Sequence, residues 1–314
     1  MMIVCSCFQR LSAQTNSSET LKKDSAEEVK KPAISFFQPK ITYLSNAVYG
    51  GRKDSATVSY ISPCIEFTDK SGFSFTASTS YLVNGNNHHF DAFSFGAGYN
   101  FKIAKQWSAS LSASKDFYND SSVAIQSGTI GTLSAEMSYD LDFIEIGTTG
   151  EMMLQQSSNQ YSAGITLSHG FDFGKEDTAA WTITPTFKAG YGTQDFINEH
   201  SRTKLKKKNQ AANVKNSVVT NIVGGSKAFS VLDYELSVPV SFGTGNWGLS
   251  FTPTYSIPVN PTSTKTQTIL FQNGIKLPQS QQPKPEIDRE SLSNSFYFEV
   301  ELTWKIPTTK KNKK

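Results

Sequence analysis

The chain has 314 residues and a formal net charge of +3, too small a surplus to point to nucleic acid as a partner. Hydrophobic residues make up 37% and aromatic residues 12%, with a mean hydropathy of −0.36, which leaves little aliphatic bulk for a large globular core. No stretch approaches the roughly 18 apolar residues of a membrane helix.

Residues 1–14 (MMIVCSCFQRLSAQ) hold an apolar run followed by Ser12-Ala13-Gln14. This reads as the back half of a secretory signal cleaved after Gln14, without its basic n-region, as a start codon placed too far downstream would leave it. Cys5 and Cys7 fall inside it, with a lipoprotein cysteine at Cys7 as the alternative. Only Cys64 then remains, which excludes an intramolecular disulfide and a cysteine metal cluster. Residues 15–38 are polar and charged, an expected flexible periplasmic lead-in, with a lumen plug as the alternative.

From residue 39 to 306 the chain alternates. Trp107-Ser-Ala-Ser-Leu-Ser-Ala-Ser-Lys-Asp-Phe117 puts Trp107, Ala109, Leu111, Ala113 and Phe117 on one parity and Ser108, Ser110, Ser112 and Ser114 on the other. Strand side chains alternate between faces, so one face is apolar and the other wet. The pattern predicts twelve strands, near residues 40–49, 57–68, 73–82, 92–103, 107–117, 129–141, 143–155, 161–173, 181–191, 231–242, 247–259 and 295–306. Tight turns at 69–72, 104–106, 142, 174–180 and 243–246 alternate with longer polar loops at 50–56, 83–91, 118–128, 156–160, 192–230 and 260–294. Short turns on one side and long loops on the other mark an outer-membrane barrel. The expected fold is therefore all-β, a single closed antiparallel transmembrane β-barrel with both termini periplasmic and a basic tail at 307–314.

A soluble sandwich also alternates, but several segments run to a dozen residues, beyond the usual five or six of globular sheets. Aromatic residues also gather where strands meet turns: Phe101, Trp107, Phe117, Tyr139, Phe143, Phe171, Phe173, Trp181, Tyr191, Phe242, Trp247 and Trp304. Such rings suit the lipid–water boundary. Pro63, Pro185, Pro239 and Pro253 each remove a ladder donor, and bulges are expected there. The Ser-Ala-Gln leader ending, the turn-and-loop rhythm and the aromatic last strand (Phe296 to Ile306) resemble outer-membrane barrel proteins of the Bacteroidota, over Thr15 to Ile306. That resemblance implies an outer-membrane barrel and carries no residue-level role.

The wet parity is small in several strands: Ser162, Gly164, Thr166, Ser168 and Gly170; Thr182, Thr184 and Thr186; Ser250, Thr252, Thr254 and Ser256. Such residues do not fill a twelve-stranded interior, because diameter grows with strand number. The inward ionisable residues are mostly acidic: Glu66, Asp116, Glu136, Asp140, Glu145, Glu151, Asp172, Asp233, Glu235, Glu299 and Glu301, against Lys102, Lys188 and Lys305. A carboxylate avoids lipid whatever the function, so a solvated wall is the plain reading; a negative lumen that concentrates cations is the sharper one.

The histidines add little. His88-His89 follow an Asn-Gly loop, and Asp195 and His200 share an unspecific spacing. Ser168 and His169 point to opposite faces and cannot form a lipase pair. The run Arg202, Lys204, Lys206, Lys207 and Lys208 reads as a solvated loop tip, with lipopolysaccharide contact or folding over the mouth as the functional alternative. Residues 262–290 are rich in Pro, Gln, Ser and Thr and are expected to be flexible. The expected function is porin-like passage of small hydrophilic solutes or cations across the outer membrane, amid lipid and lipopolysaccharide, without cofactor, metal or nucleic acid. An anchor with partner-binding loops is the alternative, and an enzyme a distant third.

Overall fold

The computed structural model describes residues 34–308, apart from 54–56, 84–87, 120–121, 123–128, 156–158, 176–178, 194–217, 225–228, 262 and 273–274. The expected leader, the basic loop Arg202–Lys208, Asp195, His200 and most of the C-terminal tail lie outside the described residues.

Twelve antiparallel strands close on themselves. They are β1 Phe36–Leu44, β2 Tyr60–Thr68, β3 Phe73–Leu82, β4 His89–Ala104, β5 Trp107–Tyr118 and β6 Thr129–Asp140. The other half comprises β7 Glu145–Gln155, β8 Gln160–Ser168 with Phe171–Lys175, β9 Ala179–Ile183 with Thr186–Gly192, β10 Ser230–Ser237 with Val240–Thr244, β11 Trp247–Pro258 and β12 Ser295–Trp304. Closure comes from β12, which pairs β11 from Trp247↔Trp304 to Ser256↔Ser295 and β1 from Lys40↔Thr303 to Leu44↔Glu299. Followed once around the wall, the registers return to β1 about 16 residues away, which corresponds to a strand tilt of about 40–45° and a backbone radius of about 12 Å.

The wall is inside-out relative to a soluble protein. Leu111, Ile165, Leu167, Leu236 and Leu302 are exposed, while Glu66, Asp116, Asp233, Glu299 and Glu301 are buried. Apolar side chains face outward into hydrocarbon, and polar ones face the interior.

Aromatic pairs reinforce one end. Phe37–Phe67, Phe73–Tyr99, Trp107–Tyr139, Trp181–Phe242 and Trp247–Trp304 are cross-strand neighbours with ring centroids 4.5–5.2 Å apart. Each pair joins two strands linked by a long loop and sits at the end away from that loop. Where no turn ties the two strands, ring contact does, at about 0.5–1.5 kcal/mol a pair.

Three expectations need correction. The first strand was placed at residues 40–49, but β1 ends at Leu44. There the Ser45 amide donates to the Phe298 carbonyl at 2.9 Å, and the chain leaves the wall, so the apolar Val48 and Tyr49 are not wall residues. The prolines produce no bulges. The ladder has the same register on either side of each one, as at Ile61↔Tyr81 and Cys64↔Ser78, or Ser237↔Thr254 and Val240↔Phe251. A proline lacks a donor but keeps its acceptor: the carbonyls of Pro185, Pro239 and Pro253 accept from the amides of His169, Thr184 and Val238. The register shifts lie instead at Ser80/Tyr81, Lys102/Ala104, Thr129/Gly131 and Gly190/Tyr191. Finally, the segment expected to be flexible at 262–290 holds strands Ser263–Gln272, Ile275–Lys276 and Glu286–Arg289. Ser263–Gln272 also pairs with Val218–Gly224 from the preceding long loop, so two loops share one small sheet.

The turn after β2 is tightened by Asp69, whose carboxylate accepts from the Ser71 hydroxyl and amide and from the Ser35 hydroxyl at 2.8 Å. Those bonds hold its pKa at about 2, below the ordinary 3.8. A lowered folded-state pKa contributes stability above the unfolded value that is lost as pH falls through the folded one. Asp69→Asn should therefore lower the thermal midpoint at neutral pH, and the gap to the parent should narrow between about pH 4 and pH 2. For the wall, Leu111→Arg should cost roughly 2–4 kcal/mol in equilibrium unfolding from lipid vesicles, and Ser112→Arg far less. Equal costs would mean that the two faces are not lipid and lumen.

Candidate functional site: the lumen and its mouth

Buried polar groups converge in the lumen. Sequence alternation assigned eleven acidic residues to it, and their surroundings differ. Glu66 is fully buried, bonded to Lys40 Nζ at 2.7 Å and to the Thr68 hydroxyl at 3.0 Å. Asp116 accepts from the Ser94 hydroxyl at 2.7 Å, and Glu136 from Ser110 at 3.4 Å. Glu151 accepts from Ser162 at 3.0 Å. Glu235 holds Lys188 at 3.3 Å and the Tyr297 hydroxyl at 2.9 Å, with Asp233 buried two residues before it. Glu301 accepts from Thr42 at 3.5 Å, and Glu299 is buried beside it on β12. Glu145 is half-buried at the start of β7.

Asp140 and Asp172 are different: both are exposed near the short turns, where Asp140 accepts the Asp142 amide and Asp172 the Thr182 hydroxyl. Of the three lysines, Lys188 lies against Glu235, Lys102 is exposed, and Lys305 sits 4.2 Å over the Phe36 ring. Sequence reasoning placed Lys40 at the start of the first strand but did not count it among the inward lysines. Its parity with Thr42, both buried, carries the signal. Glu66 is therefore a paired charge, and a removed partner would strand a buried one.

The second omission is the first long loop. Residues 50–56 were expected to stand outside, but Val48–Tyr49 pairs with Arg52–Lys53 in a hairpin that folds across the mouth. Val48 packs with Leu44 and Tyr297, and Val58 with Tyr60 and Leu82, leaving Ala47 between the two clusters. The Tyr49 hydroxyl reaches the Met153 sulfur at 3.6 Å, on β7. Burial pushes the Tyr49 hydroxyl above its ordinary pKa, and Glu151 and Asp233 push it further, so it stays protonated at any physiological pH.

Arg52 locks the hairpin down. Its guanidinium donates to the carbonyls of Gly50, Leu232, Val259 and Asn260 and to the Glu290 carboxylate at 2.7 Å. Gly51, at φ +76°, fits where a Cβ would lie 2.7 Å from Pro258 Cα. The turn thus touches β10 and β11 on backbone that only glycine tolerates.

Other residues singled out in the sequence come to less. His89 Nε2 lies 3.2 Å from Asp91, which also accepts from Tyr60 and Ser122. His169 packs edge-on against Phe171. Cys64 is buried and free. Among the described residues no three His, Cys, Asp or Glu side chains are grouped to hold a metal ion.

No protein-family model matches the sequence, and no relative is found among curated proteins. Solved structures of similar fold include the KdgM porin, at 9% identity and a TM-score of 0.39, with 86% of this chain and 98% of the porin covered. The NanC porin aligns at 8% identity and 0.39, over 86% of this chain and 100% of its own. LpxR from Salmonella typhimurium aligns at 11% and 0.44, over 85% and 99%. Scores this low carry no functional argument, and the reading below rests on this chain's own wall and lumen. The fold is that of an outer-membrane β-barrel.

The Arg52 contacts make a prediction independent of function. Arg52→Ala should speed hydrogen exchange at the amides of Val48–Tyr49 and Arg52–Lys53, with the wall ladders unchanged. Unaltered exchange in the hairpin would show that packing, not the guanidinium, holds it.

Proposed function

We propose that this protein is a diffusion pore of the bacterial outer membrane, with both termini periplasmic, that passes small hydrophilic solutes and favours cations. The observation that carries the reading is the lining. A backbone radius of about 12 Å is walled on one side by Ser108, Ser110, Ser112, Ser114, Ser162 and Gly164, whose side chains are too small to close it. Carboxylates outnumber cations on the inward face, and a low-dielectric wall strengthens their field. The hairpin at Val48–Tyr49 narrows the passage from one end, so solute size would be set there.

A second reading, a surface anchor, is favoured by one observation: the small sheet that joins two long loops through Val218↔Leu270 and Thr264↔Asp288 gives a structured platform beyond the wall. Planar-bilayer recording separates the two. The refolded protein should conduct, and reversal potentials in a salt gradient should favour cations, less so as salt screens the wall. Glu299→Gln with Glu301→Gln should weaken the preference, and removal of residues 48–53 should raise conductance. Anion selectivity, or indifference to both carboxylates, would reduce them to a solvated wall. Absence of conductance even without the hairpin would favour the anchor.

A further inference from the structure

The outward face of the wall holds a cation that neither closure nor passage uses. In the half nearest the long loops, Lys115 on β5 is the one charged side chain on the outward parity among the described residues, in line with Leu111, Ala113 and Phe117. It is exposed, and its Nζ lies 5.7 Å from the centre of the Phe117 ring. No described group accepts a hydrogen bond from this ammonium, which has three N–H donors to place. An exposed ring face holds a cation by only about 0.5–1 kcal/mol, less than an anion that accepts its hydrogen bonds.

The lysine has rings on one side and bare backbone on the other. Its register partner on β4 is Phe95, and Phe93 stands opposite Phe117. Phe95 and Phe117 meet edge-on at 6.3 Å, Phe90 stacks on Phe93 at 5.9 Å, and all four rings are half-exposed. On β6 the partner is Gly131, where a Cβ would lie 2.6 Å from the Ser114 carbonyl oxygen. No side chain fits beside the lysine there, so that flank stays open. Lys115 is three residues from the end of β5 at Tyr118, on the long-loop side, which is the external side of outer-membrane barrels. At that depth the lysine stem reaches up to the headgroups of the outer leaflet, while the rings lie level with the upper part of its acyl chains. A free phosphate ion matches the cation and leaves the rings unused. A phosphorylated lipid with several chains matches both.

We propose that Lys115 binds a phosphate of lipopolysaccharide in the outer leaflet, with acyl chains of the same lipid laid along Phe93, Phe95 and Phe117 and the head admitted over Gly131. The site rests on the outer-membrane location and on the external position of the long loops, and not on conduction.

The test is native mass spectrometry of the refolded full chain in a neutral detergent. The probes are bisphosphorylated lipid A (the acylated disaccharide of lipopolysaccharide), the same lipid with its phosphates removed, phosphatidylglycerol and inorganic phosphate. Lipid A should appear first, as a single adduct, and loss of its phosphates should weaken it by about tenfold, the loss of one charge-assisted bond. Phosphatidylglycerol should bind more weakly than lipid A, and inorganic phosphate should leave no adduct. Lys115→Gln should bring lipid A down to the level of its dephosphorylated form, and Lys115→Arg should keep the difference between the two. Phe95→Ala should weaken both forms alike, and Lys105→Gln, at a short turn, should change neither. Equal binding of the two forms overturns the proposal without recourse to a variant. Full affinity in a folded Lys115→Gln also overturns it, as does an equal loss in Lys105→Gln, which would mean attraction to charge in general. Phosphatidylglycerol binding as tightly as lipid A would overturn the assignment to lipopolysaccharide. A barrel that conducts without preferring phosphorylated lipid would keep the pore and remove this site, whereas binding without conductance would do the reverse.

Discussion

In hydrocarbon no water is at hand to satisfy a peptide N–H or C=O, so the wall can have no open edge. The pairing of β12 with both β11 and β1 meets that demand, and much else follows from it. An open edge would leave a row of donors and acceptors in lipid. The prolines show how narrowly the demand is met. Each lacks a donor, yet the ladder resumes in the same register, and the carbonyls of Pro185, Pro239 and Pro253 still accept from the neighbouring strand.

Closure turns the usual distribution of side chains around, and the interior inherits the difficulties of a polar core. Glu66 is tolerable because Lys40 lies 2.7 Å away, and Glu235 because Lys188 and Tyr297 share its two oxygens. Along Ser108 to Ser114 the pairing is with hydroxyls instead of cations: Ser108 bonds Ser138 at 2.6 Å, and Ser110 and Ser114 donate to Glu136 and Asp116 at 3.4 and 3.5 Å. The lumen is thus lopsided, tightly paired where β12, β1 and β2 meet and loosely lined along β5 to β8. Glu136 and Glu151 stand on the loose side.

Much of the fold was legible because a barrel strand states its two faces in alternate letters. Strand number, turn positions and the facing of Leu111 against Ser112 all came from that period. Legibility failed where the chain left the wall. Ala47-Val48-Tyr49 is as apolar as a strand end, and the contacts of Tyr49 with Met153 across the lumen and of Val48 with Tyr297 on the adjacent β12 show that it belongs to the mouth. The stretch around Thr264–Thr268 looked like a linker by composition, yet β-branched threonines at alternate positions suit a strand once Val218–Gly224 is there to pair with it. For the lumen, parity identified which residues face inward but not which are neutralised. Pairing across strands depends on register, and β1 was misplaced by several residues.

The grip of Arg52 has a consequence for the order of assembly. Its partners, Leu232, Val259 and Glu290, are 180, 207 and 238 residues further along the chain. None of them is in position until β10 and β11 have joined the wall. A contact between such distant parts of the sequence forms late, after nearer pairings have shortened the loop that it must close. The hairpin therefore stays loose through most of biogenesis, and the passage narrows only as the last piece of the wall arrives. A half-built barrel keeps a wide interior in which the inward side chains can hydrate and settle before the mouth draws shut.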